Sequence, residues 1–195
     1  MRKALGAGEG KRCGEKRIII AGSGGQGILF LGRLVAYAAM LDAREVTWFP
    51  SYGAEIRGGT ANCTVIISRE MIGSPVIRNP AVLMVMNEAS YRRFSGRLLP
   101  GGLLLYDSSL ISLGAPRQDI SALRVPASEI AASLKSTKGA NMVMMGAFIA
   151  AAGCLTLDSS LKALEEITPA HRKESLQANR ELIMKGYRFV EDTQG

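Results

Sequence analysis

Cysteine and histidine are scarce in this chain of 195 residues, which has three of the first and one of the second. Cys13, Cys63 and Cys154 lie far apart, with no C-x-x-C spacing anywhere. That pattern excludes a self-contained cysteine-ligated iron–sulfur or structural zinc site and is consistent with reduced thiols in a reducing cytoplasm. The lone histidine, His171, stands beside Arg172 and Lys173 and reads as a solvated helix residue, so a histidine-based triad is not expected. Long apolar runs are also missing. The longest, "MVMMGAFIAAAGCL" (Met142 to Leu155), is too short to span a bilayer and is rich in Gly and Ala, which makes it a buried helix. The first residues have no apolar h-region, so no signal peptide is expected and the expected location is cytoplasmic, with no membrane partner.

Acidic residues are the minority, and the net charge of +7 invites a nucleic-acid reading. Its placement argues otherwise. Residues 1 to 17 hold six Lys/Arg and two Glu, whereas the remaining chain holds eighteen Lys/Arg and fifteen Asp/Glu. Most of the excess therefore sits on the Gly-rich start "MRKALGAGEGKRCGEKR", and residues 1–16 are expected to form a basic, flexible tail. No lysine-rich stripe interleaved with aromatics follows, so nucleic acid is not an expected partner. With 47% hydrophobic and 21% charged residues, 17–195 read as one ordinary globular domain.

Short apolar runs alternate with helical patterns. "RIIIAG" (Arg17 to Gly22) is a strand buried on both faces, and "ILFLGRLVAYAAML" predicts a helix from about Gln26 to Leu41. "EVTWF" and "TANCTVIIS" (Thr60 to Ser68) are further strands, and "REMIGSPVI" is expected to fold back on the latter as a hairpin. "AVLMVM" (Ala81 to Met86) and "GLLLYD" (Gly102 to Asp107) are buried-type strands, separated by a short helix in "EASYRRFSGRLL". "SALRVPASEIAASL" gives a last strand and a helix entered near Ser128. Asn141 is expected to cap the Met-rich helix, and Thr168–Pro169 to start the final one. The pattern predicts an α/β fold: a mostly parallel, Rossmann-like doubly wound sheet with a β-hairpin addition.

Two loops stand out. "GSGGQG" places Gly22, Gly24 and Gly27 in G-x-G-x-x-G spacing between a strand and a helix, where a phosphate can approach the backbone. The acidic residue that should end the second strand and hold a ribose is missing, since Asp42 and Glu45 precede that strand. The glycines then either cradle a ligand or permit close strand–helix packing. The second loop, "PSYGAEIRGGT" (Pro50 to Thr60), mixes bendable glycines with Tyr52, Glu55 and Arg57, a combination suited to a close interface or an active-site rim. Alternatively, Glu55 and Arg57 pair with each other and stiffen the loop. The strand ends bring both loops to one rim with Asn87–Glu88 and Asp107–Ser108–Ser109.

"GSGGQGILFLGRLVAYAA", "PSYGAEIRGGTANCTVIIS", "SPVI", "AVLMVMNEASY" and "KGANMVMMGA", in this order over roughly residues 17 to 185, resemble the gamma subunit of 2-oxoacid:ferredoxin oxidoreductases. The resemblance implies a complex that oxidatively decarboxylates a 2-oxoacid with coenzyme A, giving acyl-CoA, carbon dioxide and reduced ferredoxin. It implies alpha-, beta- and delta-type partner subunits and contact with ferredoxin through the complex. Thiamine diphosphate, Mg2+ and iron–sulfur clusters are then expected in the assembly, with none bound by this chain alone. The expected ligand or interface residues are Gly22, Gly24, Gly25, Gln26 and Gly27, then Ser51, Tyr52, Gly53, Glu55, Arg57, Gly58 and Gly59, with Asn87 and Asp107; no catalytic residue or metal ligand is expected. Arg57 is placed at a subunit contact near the coenzyme A entrance. The competing readings are a stand-alone dinucleotide-binding oxidoreductase and a non-catalytic interaction module.

Overall fold

The computed structural model describes residues 14–52, 60–112 and 117–194. Six strands form one sheet: β1 (Lys16–Ser23), β2 (Glu45–Tyr52), β3 (Thr60–Ser68), β4 (Val82–Val85), β5 (Leu103–Asp107) and β6 (Ser121–Val125), in the order β2-β3-β1-β4-β5-β6. β1, β4, β5 and β6 run parallel, while β3 lies antiparallel between β1 and β2. The helices are α1 (Ile28–Leu41), α2 (Glu88–Phe94), α3 (Ala127–Ser133), α4 (Ala140–Ala152), α5 (Leu157–Ile167) and α6 (Leu176–Gln194). Short 3-10 turns cover Ser95–Arg97 and Ala170–Ser175. This is the mostly parallel α/β sheet that the strand–helix alternation predicts.

The pleat sorts the core. Ile18 and Ile20 of β1 face a large cluster with α1, α3, α4, α5 and α6, while Ile19 and Ala21 face a smaller one with Phe94, Leu98 and Ile111. Side chains alternate across a strand, so a run such as "IIIA" feeds both layers at once. α4 has no polar face to speak of, and Met142 to Ile149 are all buried. Such a helix belongs inside a protein.

Four details differ from the expectations. The hairpin joins β2 to β3, and residues 69–80 form no strand. Both edges of β3 are already taken by β1 and β2, which leaves no ladder for "REMIGSPVI" to join. Thr168 does not cap a following helix; its hydroxyl donates back to the Leu164 carbonyl at 2.5 Å and ends α5, after which Pro169 leads into the 3-10 turn. α4 is capped at Gly139, so Asn141 lies inside its first turn. α5, not among the expected helices, has a local start signal of its own: Thr156 accepts from the Ser159 N–H as an N-cap.

Register carries the loops to one rim. Ser23 stands opposite Thr60, Tyr52 opposite Ala61, Ala21 opposite Val85 and Asp107 opposite Val125. Because β1 and β2 are both antiparallel to β3, they run in the same direction. The ends of β1, β2, β4 and β5 therefore share an edge of the sheet with the start of β3.

Candidate functional site

The loop after β1 is closed by its own glutamine. Gln26 Oε1 accepts from the Ser23 N–H at 2.7 Å, and Nε2 donates to the Met86 carbonyl at 2.8 Å. One side chain thus ties the end of β1 to the end of β4. Asn87 makes the return connection, donating from Nδ2 to Ser23 Oγ at 2.5 Å while its Oδ1 accepts from the Ser90 N–H and caps α2.

The glycines divide by what surrounds them. A Cβ on Gly22 would stand 2.6 Å from both Gln26 Oε1 and Ile28 Cδ1. Gly27 has φ +72, and a Cβ there would overlap the Asn141 amide, whose Nδ2 donates to the Gly27 carbonyl at 3.3 Å. The protein's own side chains therefore require these two glycines. Gly25 differs: its φ is +93 and nothing lies within 4 Å of the position a Cβ would take. Gly24 and Gly25 are exposed at the tip of the loop.

Beside that tip is a cavity of about 220 Å³, lined by Gly25, Gly27 and Phe30, by Lys138, Asn141 and Met142, and by Thr168, Pro169, Arg172, Ser175 and Asn179. It lies at the N-termini of α1 and α4, where unpaired N–H groups and the helix dipole favour an anion. Lys138 and Arg172 add two side-chain cations, neither with a carboxylate partner among the described residues. This arrangement is suited to a phosphate. In the sequence Asn141 reads only as a helix cap, and Lys138 and Arg172 carry no ligand role. One signal was available: a lysine just before a helix start is electrostatically unfavourable unless an anion sits between them.

The other expected residues are placed as follows. Ser51 pairs with Asn62, and Tyr52 ends β2. Gly53, Glu55, Arg57, Gly58 and Gly59 lie outside the described residues. Asp107 is fully buried, and its carboxylate accepts from the Ser109 and Ser128 N–H groups at 3.1 and 3.3 Å and from Ser128 Oγ at 2.6 Å. Those bonds hold β5 to the start of α3. Asp42 caps the start of α5 through Thr156 and Ser159, and Glu45 opens β2 opposite Ser68, both away from the glycine loop. Among the described residues no group of three His, Cys, Asp or Glu could hold a metal ion, and no helix is long and apolar enough to cross a membrane.

The pyruvate ferredoxin/flavodoxin oxidoreductase family matches residues 17–189. The chain belongs to this family. It is 38% identical over 181 residues to the ketoisovalerate oxidoreductase subunit VorA of Methanothermobacter thermautotrophicus, covering 91% of this chain and 37% of that one. The gamma subunit of a keto/oxoacid ferredoxin oxidoreductase from Geobacter sulfurreducens superposes with a TM-score of 0.79 at 26% identity, covering 92% of this chain and 98% of that one. The 2-oxoglutarate:ferredoxin oxidoreductase from Magnetococcus marinus, solved with 2-oxoglutarate, coenzyme A and succinyl-CoA bound, superposes at 0.84 and 25% identity, over 93% of this chain and 32% of that one. The chain thus spans about a third of VorA and of the Magnetococcus protein, and nearly all of the Geobacter gamma subunit. Within the pyruvate ferredoxin/flavodoxin oxidoreductase family the same domain occurs in both lengths of polypeptide.

Proposed function

We propose that this chain is the gamma subunit of a multi-subunit 2-oxoacid:ferredoxin oxidoreductase. The complex converts a 2-oxoacid and coenzyme A to acyl-CoA and carbon dioxide, and the electron pair released passes to ferredoxin. The observation that carries this reading is the near end-to-end superposition on the Geobacter gamma subunit. Thiamine diphosphate, with Mg2+, supplies carbanion chemistry in this reading, and iron–sulfur clusters carry electrons, all on partner chains. VorA is named for ketoisovalerate and the Magnetococcus enzyme for 2-oxoglutarate, so the substrate is assigned at the level of a 2-oxoacid.

Within the complex, this chain's part is to hold coenzyme A by its phosphates. The Magnetococcus enzyme was solved with that co-substrate bound. Two helix N-termini and two cations around the cavity at Gly25 match a phosphate better than a neutral ligand. A nicotinamide site is disfavoured because β2 ends at Tyr52 without an acid to take a ribose.

The test is reconstitution. The chain combined with its native partner subunits should reduce ferredoxin only when a 2-oxoacid and coenzyme A are both present. Full turnover by complexes lacking this chain would overturn the reading, as would stoichiometric NAD binding to the chain in calorimetry.

A further inference from the structure

The cavity beside Gly25 has a wall that phosphate does not explain. Asn141, in the first turn of α4, lines it and is only 7% exposed. Its Nδ2 donates to the Gly27 carbonyl, an oxygen that can only accept. Turning the amide over would set two oxygens against each other, so its orientation is fixed. No described residue donates to Oδ1, and that oxygen is not sealed from solvent as Ser90 Oγ is. It therefore opens on the cavity that Asn141 lines.

An acceptor that deep calls for a donor. A fully ionised phosphate has none, so the ligand must bring a second group to the cavity. Asn141 has two N–H functions, of which Gly27 takes one. What remains is one N–H and the carbonyl oxygen, the pair with which asparagine reads the edge of adenine.

The rest of the lining fits a base. Phe30, half-buried in the first turn of α1, and the buried Met142 give an apolar surface for a flat ring. Lys138 and Arg172 are the exposed part of the lining, which puts the phosphates outermost. At about 220 Å³ the cavity is smaller than the pockets that enclose a whole cofactor-sized ligand, so it takes one end of one. The nucleotide end of coenzyme A carries a base and phosphates together, whereas the pantetheine end carries neither.

We propose that Asn141 selects the base of the coenzyme, its carbonyl oxygen accepting from the exocyclic amine of adenine. Phe30 lies against the ring, and the phosphates reach Lys138 and Arg172. This rests on the reading that the cavity holds coenzyme A. Hypoxanthine has a carbonyl where adenine has the amine. It would set oxygen against Oδ1, which the bond to Gly27 keeps from turning away.

The test measures competition with coenzyme A in the complex of the full chain and its native partner subunits. Adenosine 3′,5′-bisphosphate should compete, and inosine 3′,5′-bisphosphate should be roughly tenfold weaker or worse. Asn141→Ala should bring the two inhibition constants together, whatever it does to each. A merely structural Asn141 would shift both by the same factor and leave their ratio intact. Phe30→Leu should weaken both and preserve the ratio. Thermal melts check folding, and Asn141→Ser replaces Asn141→Ala if that variant fails to fold. Equal competition by the two analogues in the wild type overturns the role of Asn141 and leaves the phosphate reading intact. An unchanged ratio in the Asn141 variant does the same. If neither analogue competes, Lys138→Ala separates the two readings. A raised coenzyme A KM then overturns only the base selection, and an unchanged KM overturns both.

Discussion

Gly27 carries two constraints at once, a left-handed backbone and the Asn141 amide pressed against it. Gly25 carries only the first. Gly25→Ala should therefore cost about 1–2 kcal/mol, the ordinary penalty for that conformation, and Gly27→Ala roughly 2–4 kcal/mol once the clash is added. Urea melts of both variants check this, and Asn141→Ala in the Gly27→Ala background should recover part of the difference. Equal losses at 25 and 27 would show that the Asn141 contact is relaxed at no cost. The glycine spacing was legible in the sequence because it lies within six residues. Its partner was not, because Asn141 is 114 positions away from Gly27 and only the fold brings them together.

Cys63 is another residue whose behaviour is set by its surroundings. It is fully buried beneath α1, and burial pushes its thiol up to about 12 from an ordinary value of 9.0. The folded state then keeps a proton that the unfolded state releases above that value. Stability is consequently flat below about pH 9 and falls as pH rises from there toward 12, by up to about 1.4 kcal/mol per pH unit from this group. Denaturant titrations at pH 8 and 10 on wild type and Cys63→Ala should show a smaller pH-dependent loss in the variant. A thiol reagent should leave Cys63 unlabelled in the native protein at pH 8; rapid native labelling would contradict the burial argument.

At the scale of elements, the contact between α4 and α6 depends on two glycines. A Cβ on Gly146 would fall onto the Ile183 carbonyl oxygen, and one on Gly186 onto that of Val143. Backbone atoms cannot rotate away as side chains do, so either Gly→Ala change forces the helices apart. We expect roughly 3 kcal/mol or more for Gly146→Ala or Gly186→Ala, against about 1–2 kcal/mol for Gly153→Ala, where φ is +60 but the space is open. Thermal unfolding distinguishes the two cases. Periodicity made α4 legible as a buried helix but could not name the helix it would meet. Buried strands and helix starts follow from local chemistry, whereas the hairpin partner of β3 was decided by which of its edges remained free. Thr168–Pro169 shows the same limit: its residues fit a helix start, yet Thr168 turned back to Leu164 and closed the preceding helix.

Over the whole molecule, three chain regions distant in sequence converge on one anion-favouring cavity. The glycine loop, the start of α4, and the turn after Pro169 with the α6 it leads into each contribute to its wall. No single segment has a phosphate motif complete enough to be read alone, which is why Lys138 and Arg172 had no functional reading in the sequence. If the cavity takes the phosphates of coenzyme A, then Lys138→Ala and Arg172→Ala should each raise the coenzyme A KM of the assembled complex. Both side chains are exposed, so the effect belongs near the lower end for a charge-assisted contact, about 1.5 kcal/mol or roughly tenfold. The KM for the 2-oxoacid and the thermal stability should hardly move. Arg172→Lys keeps the charge without the planar fork and should recover only part of the loss. Pantetheine, the phosphate-free portion of the coenzyme, supplies the discriminating control. It should serve wild type and variants equally poorly, because the contact being removed is one it never makes. A variant that loses rate with pantetheine as much as with coenzyme A would place these cations in assembly or folding instead. Unchanged kinetics with both would show that the cavity does not hold the co-substrate.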